Sequence, residues 1–394
     1  MRGTTRLAII GCGGMASYHL KQLEEVRNKK AVDFEIVAVC DLKRERAKDF
    51  ANRAEKFQGK RPLEVADSAK LLDTGDLDAV DIATDHCSHH AIAIPFLKSG
   101  VHAMVEKPLA ITMRAARNMI DAAKDGGATL AVAENYRRTV AHRALKWIVA
   151  NGHIGELHMI FSGGVGGAPN WGRDVVMAGT PWRHDKLTSG AGPVLDNGVH
   201  EADLFRYFAG DVTQAIGVTK TFEGTRYLRD QKGTVLESVR STVEDAGFAI
   251  LQHESGSITL WAPAYWAGHG ENSALGKWLY GSKGAVKEDN LILDSGFRMN
   301  ASSFFLLNAP MEEKEQYFPF RLTDSVAIEL YDFLVSIQRG RKPETDGMEG
   351  YKAMAISYAV IESSHVNAPV DVKEVEDLKV EGYQREINEK LAIA

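Results

Sequence analysis

The sequence predicts two domains of different class: a doubly wound α/β domain over residues 1–135, then an α+β domain over residues 136–394 built on a mostly antiparallel sheet. Three observations carry this. Up to residue 135 short apolar runs alternate with helical periodicity, the first run leads straight into a glycine-rich turn, and from Arg143 onward strand-like runs no longer alternate with helices. At 394 residues the chain also exceeds one ordinary core.

Residues 7–10 read as a short buried strand, and Tyr18, Leu20 and Leu23 mark the helix that follows. Between them stands Gly11-Cys12-Gly13-Gly14-Met15-Ala16. Gly11 allows the tight turn, Gly13 lets the backbone approach a pyrophosphate, and Ala16 is the small residue that lets helix and strand pack closely. With Gly14 and Met15 they form a candidate dinucleotide cradle, because a helix N-terminus presents free N–H groups and a partial positive charge. Residues 34–40 read as a second strand ending at Asp41, whose carboxylate suits both hydroxyls of an adenosine ribose. That favours NAD over NADP, with Lys43 and Arg44 as the complication. A polar insertion, residues 26–33, stretches the usual spacing of about 20 residues to this acid.

The pattern continues with a helix over 43–57, a strand at 62–65, a helix near 68–72, a strand at 77–83, a helix over 89–98, a strand at 101–105, a helix over 113–124 and a strand at 129–133. Such alternation means right-handed crossovers and a parallel sheet, with ligands beyond the carboxyl ends of the strands. Residues just after each strand are therefore the functional candidates. Thr84-Asp85-His86-Cys87-Ser88-His89-His90 follows one of them; without clustered Cys or carboxylate ligands its histidines read as a loop lining the nicotinamide end of a cofactor, not as a metal site. Glu106-Lys107-Pro108 closes another, and Asn135-Tyr136-Arg137-Arg138 the last. Trp182-Arg183 precedes a glycine stretch; like Tyr136 and Arg137, this pair suits a hydroxyl-rich ligand or a cofactor phosphate, or packs at a domain seam.

In the second half, residues 145–149 read as a helix and 157–161, 215–220, 248–251, 257–261 and 277–280 as strands. Helical periodicity returns at 325–337 and 350–363, and residues 373–394 read as an arm or a peripheral helix. Within Ser189-Gly-Ala-Gly-Pro-Val-Leu-Asp196-Asn-Gly-Val-His200, a helix starting near Leu195 would put Asp196 and His200 on one face.

Hydrophobic content of 44 % and charged content of 25 % are those of a globular protein, and a net charge of -6 with dispersed basic residues suggests neither a nucleic-acid nor a membrane partner. The start lacks a signal-peptide pattern and no run approaches about 18 apolar residues, so a cytoplasmic location is expected. Cys12, Cys40 and Cys87 are widely spaced, without the pairing of a disulfide framework or zinc site.

Taken in order, GCGGMA, VCD, EKP at 106–108, NYRR and WRHDKLTSGAGPVLDNGVH resemble the glucose-fructose oxidoreductase, inositol dehydrogenase and rhizopine-catabolism family (Gfo/Idh/MocA) over nearly the whole chain. The resemblance implies an α/β Rossmann domain plus an α+β C-terminal domain with an open, mostly antiparallel sheet that often mediates homodimers or homotetramers, the closing helix and strand being able to pack back on the first domain. It implies NAD-dependent hydride transfer from a secondary hydroxyl of a sugar, glycoside or cyclic polyol. Lys107, Asp196 and His200 match the family's catalytic lysine, aspartate and histidine: His200 as general base, Asp196 orienting its ring, Lys107 hydrogen-bonding the reacting oxygen. On the same basis Gly11, Gly13, Gly14, Met15, Asp41, Thr84, His86, His89, Glu106, Lys107 and Asn135 are expected around NAD, and Tyr136, Arg137, Trp182 and Arg183 around the substrate. Two other activities occur in the family: glycoside cleavage through transient oxidation by tightly held NAD, and NAD-responsive regulation without catalysis. The chain departs from the family's T-P-N-x-x-H at Asp85 and His86, lacks the proline often found after the NYRR segment, and carries a glycine-rich insertion at 163–167 with Asn170, Trp171 and Arg173 to which no role is assigned.

Overall fold

Six short strands align their carboxyl ends along one edge of the first sheet. They are β1 (Thr5–Ile10), β2 (Phe34–Cys40), β3 (Leu63–Val65), β4 (Ala79–Ile82), β5 (His102–Glu106) and β6 (Leu130–Ala133), in the order β3-β2-β1-β4-β5-β6. Every pair is parallel. The helices between them are α1 (Gly14–Asn28), α2 (Arg44–Gln58), α3 (His89–Lys98) and α4 (Met113–Gly126), with a 3-10 helix, Ser68–Thr74, where a helix near 68–72 was expected. Ile10 pairs with both Cys40 and Ile82, Ile82 with Val105, and Glu106 with Ala133. Gly11, Asp41, Thr84, Lys107 and Asn135 therefore all emerge beyond the same edge.

The computed structural model describes residues 3–166, 180–230, 232–265 and 273–394. It divides into two units, each drawn from separated segments. The first comprises Met1–Ile111, Ala115–Thr139 and Pro310–Tyr351; the second comprises Thr112–Arg114, Val140–Ala309 and Lys352–Ala394. The segment Pro310–Tyr351, which the sequence places within 136–394, joins the first unit because its helix Ser325–Arg339 buries Val326, Leu330, Phe333 and Leu334 in the same core as Leu7, Ile9, Leu20 and Phe34. Asp324 starts this helix by accepting the N–H groups of Val326 and Ala327. Periodicity shows that such a helix has an apolar face, not which sheet the face will cover.

The second unit begins with α5 (Val140–Ala150) and β7 (Leu157–Gly166), then α6 (Lys186–Ser189), α7 (Gly198–Ala209), β8 (Val212–Lys220) and a separate hairpin, β9 (Thr225–Arg229) with β10 (Val235–Arg240). There follow β11 (Ala246–His253), β12 (Ile258–Tyr265), β13 (Ser273–Gly281), β14 (Gly284–Lys287), β15 (Asn290–Leu293), β16 (Arg298–Asn300) and β17 (Val370–Asp371). They build a nine-stranded sheet in the order β16-β15-β14-β13-β7-β12-β11-β8-β17, antiparallel except where β7 meets β12. In the hairpin, β10 is exposed at every residue but Val239, so there is no buried face for period-two alternation to mark. In β11, Ala249 and Leu251 are buried while Phe248 and Ile250 are exposed, so one sheet face is covered and the other open. Ser363 and Ser364, on the helix Gly347–Val366, accept the N–H groups of Gly217 and Thr219 and fix that helix to β8. The final segment holds two short helices, Val372–Glu376 and Arg385–Lys390.

Helix α7 starts at Gly198 rather than near Leu195. Before it the chain turns, with Asp196 N donating to Gly192 O and Gly198 N to Pro193 O. What holds these turns is Glu244, a buried carboxylate that accepts Gly192 N at 2.9 Å and Val194 N at 3.1 Å. Gly192 must lack a side chain, since a Cβ there would lie 1.9 Å from Glu244 O. Burial pushes the Glu244 carboxyl up to about 7 against the loop amides, which favour its charge.

A pH effect on stability follows. With a folded value of about 7 and an ordinary value of 4.5, the folded protein binds the extra proton between those pH values. Stability at this site is therefore greatest at acidic pH, falls as pH rises through that window, and is flat above it. Glu244→Gln lacks this term. The melting temperature of the wild type minus that of the variant is expected to shrink by roughly 2–5 °C between pH 5 and pH 8; a difference constant across that range would show that Glu244 does not titrate there.

Candidate active site

In the first unit the glycine turn is shaped to receive phosphate. Gly11 has φ +88°, and a Cβ on it would meet Ala83 O at 2.4 Å, so only glycine fits. At Gly13 and Gly14 a Cβ would meet nothing within 4 Å, which leaves open space over the N-terminus of α1. Gly13, the N-cap residue, brings no side chain to cap that terminus, whose first N–H groups suit an anion. Asp41 stands beside it, its carboxylate aimed by Cys12 N at 2.8 Å and Lys43 N at 2.7 Å. Each oxygen keeps a lone pair for a ribose hydroxyl. At the end of β6 the buried Oδ1 of Asn135 has no hydrogen-bond partner among the described residues, as befits a group awaiting a donor. The residues fit NAD.

Beneath this edge lies a cluster that the sequence did not announce. His19, on α1, has no solvent exposure; its Nδ1 is 2.9 Å from Asp81 of β4 and its Nε2 is 3.1 Å from Glu106 of β5. Burial opposes its charge, but Asp81 and then Glu106 outweigh that and hold it well above the ordinary histidine range. Glu329, from the helix Ser325–Arg339, lies 3.9 Å from His19 Nε2, and burial raises its carboxyl well above the usual range. Glu106 also accepts the N–H of Lys107 at 3.0 Å, so this cluster sets where Lys107 leaves the sheet. A carboxylate inside the apolar run at Asp81 was the available signal, because a buried acid requires a partner.

His89 joins the two loops on either side of this point. Its Nδ1 is 3.0 Å from Pro108 O and its Nε2 is 3.4 Å from Thr84 O. A carbonyl only accepts, so Nδ1 carries the proton in the shorter contact. Burial lowers the His89 pKa, and the ring is neutral. Asp85 folds inward and accepts from Ser88 N and Cys87 Sγ, both near 3.2–3.3 Å, as well as from Ser88 Oγ. His86 is buried with its ring tilted toward His89, and Met15 is exposed. Tyr136 is exposed, its N–H given to Glu134. Arg137 is buried against Glu349, and Arg138, fully buried, braces Glu134 O and Asp332 at 2.7 and 3.0 Å.

The second unit carries Trp182, Arg183, Asp196 and His200. Arg183 stacks 4.5 Å over the Trp182 ring and is ion-paired with Asp196. Beside them His184 is buried, and burial with the Arg226 cation lowers its pKa to about 4. Asp196 and His200 are themselves nearly buried, His200 in the first turn of α7. Asp196 is thus ion-paired with Arg183, a partner that sequence spacing did not suggest. Asn170, Trp171 and Arg173 lie outside the described residues.

Residues 5–134 match a family model described as an oxidoreductase family with NAD-binding Rossmann fold, and residues 142–287 match the GFO/IDH/MocA C-terminal domain. The chain is similar to the levoglucosan dehydrogenase of Pseudarthrobacter phenanthrenivorans, 28 % identical over 331 residues that cover 79 % of this chain and 84 % of that protein. It is similar to the D-apiose dehydrogenase of Paraburkholderia graminis, 27 % identical over 384 residues, 94 % of this chain and 90 % of that one. Among solved structures, levoglucosan dehydrogenase in complex with NADH and L-sorbose has the same fold, with a TM-score of 0.76 at 23 % identity over 94 % of this chain and 100 % of that chain. The chain therefore belongs to the Gfo/Idh/MocA family of oxidoreductases, with an NAD-binding Rossmann domain and an activity on CH–OH groups.

Proposed function

We propose that the protein oxidises one secondary hydroxyl of a cyclic sugar, glycoside or polyol with NAD. The observation that carries this reading is the exit of Lys107 from β5 on the same sheet edge as the Gly11–Gly14 turn and Asp41. Oxidising CHOH needs an acceptor for the hydride and a base for the proton; bound NAD supplies the first. The chain supplies the rest. Gly11, Gly13 and Gly14 with the α1 N-terminus hold the pyrophosphate, Asp41 holds the adenosine ribose, and Thr84, His86, His89, Glu106 and Asn135 line the nicotinamide side. Lys107 Nζ donates to the reacting oxygen and steadies the charge that develops on it. His200 accepts the hydroxyl proton, with Asp196 orienting its ring. Trp182 offers an apolar face to ring C–H groups, and Arg183 and Tyr136 offer donors to neighbouring hydroxyls.

A panel of levoglucosan, D-apiose, myo-inositol and methyl glucosides with NAD tests the reaction class. One NADH formed per product is the expected result; product released without NADH would point instead to redox-neutral glycoside cleavage.

Lys107→Met keeps the aliphatic stem and removes the charge. On the best substrate of that panel kcat is expected to fall roughly 10²- to 10⁴-fold, with the melting temperature and NAD dissociation constant held. A rise in KM at constant kcat would make Lys107 a binding group only.

Asp41→Ser should narrow the preference for NAD over NADP, since the carboxylate repels a 2′-phosphate. A wild-type enzyme with the higher kcat/KM for NADP would overturn this assignment.

The open sheet face favours a homodimer or homotetramer. Phe248 is paired across strands with Val218, and Ile250 with Ile216 and Leu260, and all five are exposed. A second copy presenting the same face would cover them. Sedimentation should give a multiple of 43.2 kDa for the wild type and a lighter species for Ile250→Lys; a monomeric wild type contradicts the assembly.

A further inference from the structure

The turns that carry Asp196 are held from behind by side chains to which no step of the reaction assigns a part. Gly192 N and Val194 N both donate to the buried carboxylate of Glu244. Two residues earlier, Gly190 O accepts the phenol of Tyr383 at 3.2 Å. Tyr383 belongs to the carboxyl-terminal arm, and the arm is itself tied down. Tyr383 N donates to Glu362 at 2.9 Å, Gln384 takes Met113 N at 2.8 Å, and Asn388 takes Thr112 Oγ1 at 2.8 Å. Lys186, on α6 just ahead of the loop, lies 4.1 Å over the Tyr383 ring and pairs with Glu386 at 3.1 Å.

The charges around Glu244 make this attachment specific. Asp245, next in sequence, spends its oxygens on Phe222 N, Glu223 N and Arg226. Tyr358 and Glu362 on the helix Gly347–Val366, and Tyr383 on the arm, are acidic or phenolic neighbours that bring no positive charge. The Glu244 carboxylate takes the loop amides of Gly192 and Val194 together with its own backbone N–H. Carboxylate and loop therefore satisfy each other: a buried acid needs donors, and two buried N–H groups need an acceptor.

We propose that Glu244 and Tyr383 are positioning residues that fix the loop bearing Asp196, and through it the first turn of α7 with His200, so that the carboxyl-terminal arm is a part of the catalytic scaffold. This rests on the reading of Asp196 and His200 as catalytic. A misplacement of about 1 Å at such a site can cost on the order of 10²-fold in rate, which is the size of effect a loosened loop should produce.

The test uses full-length Tyr383→Phe, which deletes one oxygen, and Glu244→Gln, with a melting curve for each. Amide hydrogen exchange over residues 189–197, measured without substrate, is expected to rise roughly tenfold in both while the nine-stranded sheet keeps its protection. On the panel's best substrate kcat should fall roughly 10- to 100-fold, with KM for NAD unchanged. Should Glu244→Gln fail to fold, Tyr383→Phe alone decides. Unaltered loop exchange overturns the proposal whatever happens to activity, and so does raised exchange with wild-type kcat. His200→Asn run in parallel separates the two ideas: if it keeps kcat, the catalytic reading is what fails, and the exchange data still judge the clamp.

Discussion

One imidazole shut away from water organises the first unit. His19 bridges Asp81 on β4 and Glu106 on β5, and Glu329 reaches it from a helix contributed by a distant part of the chain. A buried charge survives only when it is paired and hydrogen-bonded, and here each partner sits on a different element. Helix α1 behind the glycine turn, strands β4 and β5, and the helix Ser325–Arg339 are consequently held together by one cluster. Lys107 is the next residue along from that anchor, and its N–H is bonded to the same Glu106 side chain.

The second unit meets a similar demand with a different donor. Where His19 answers carboxylates with a cation, Glu244 is answered by backbone amides of the loop it supports. Its neighbour Asp245 shows the contrast in adjacent positions, since it takes both backbone N–H groups and the Arg226 guanidinium. At Glu244 burial outweighs the amides that favour its charge and raises the carboxyl to about 7. The loop is thus attached through a group that sits near its own titration point at neutral pH, while the strands behind it rest on apolar contacts such as Trp261 against Phe205.

Function on this scaffold divides by what each part can vary. The glycine turn and Asp41 are constrained by backbone geometry: Gly11 by its positive φ and the Ala83 carbonyl, Asp41 by two N–H groups. Trp182 and Arg183, which we propose meet the substrate, stand on a short 3-10 helix, Pro181–His184, where Arg183 stacks on Trp182 and pairs with Asp196. Such a segment can be rebuilt without disturbing a core, which suits a family whose relatives act on different sugars.

The parallel sheet, and the common edge from which Gly11, Asp41 and Lys107 emerge, were legible in the chain alone, because strand-helix alternation and turn glycines are local patterns with a local physical cause. The sequence did not determine the partners of the buried ionisable groups. His19 meets Asp81 and Glu106 across 62 and 87 residues of chain, and Glu244 reaches back 50 and 52 residues to the loop it supports, distances over which spacing carries no information. Nor did periodicity show that the helix Ser325–Arg339 would close the first core, or that α7 would begin only at Gly198. Those choices belong to the tertiary structure, where an apolar face finds the sheet left uncovered and a buried charge finds whatever donor the folded chain brings within 3 Å or so.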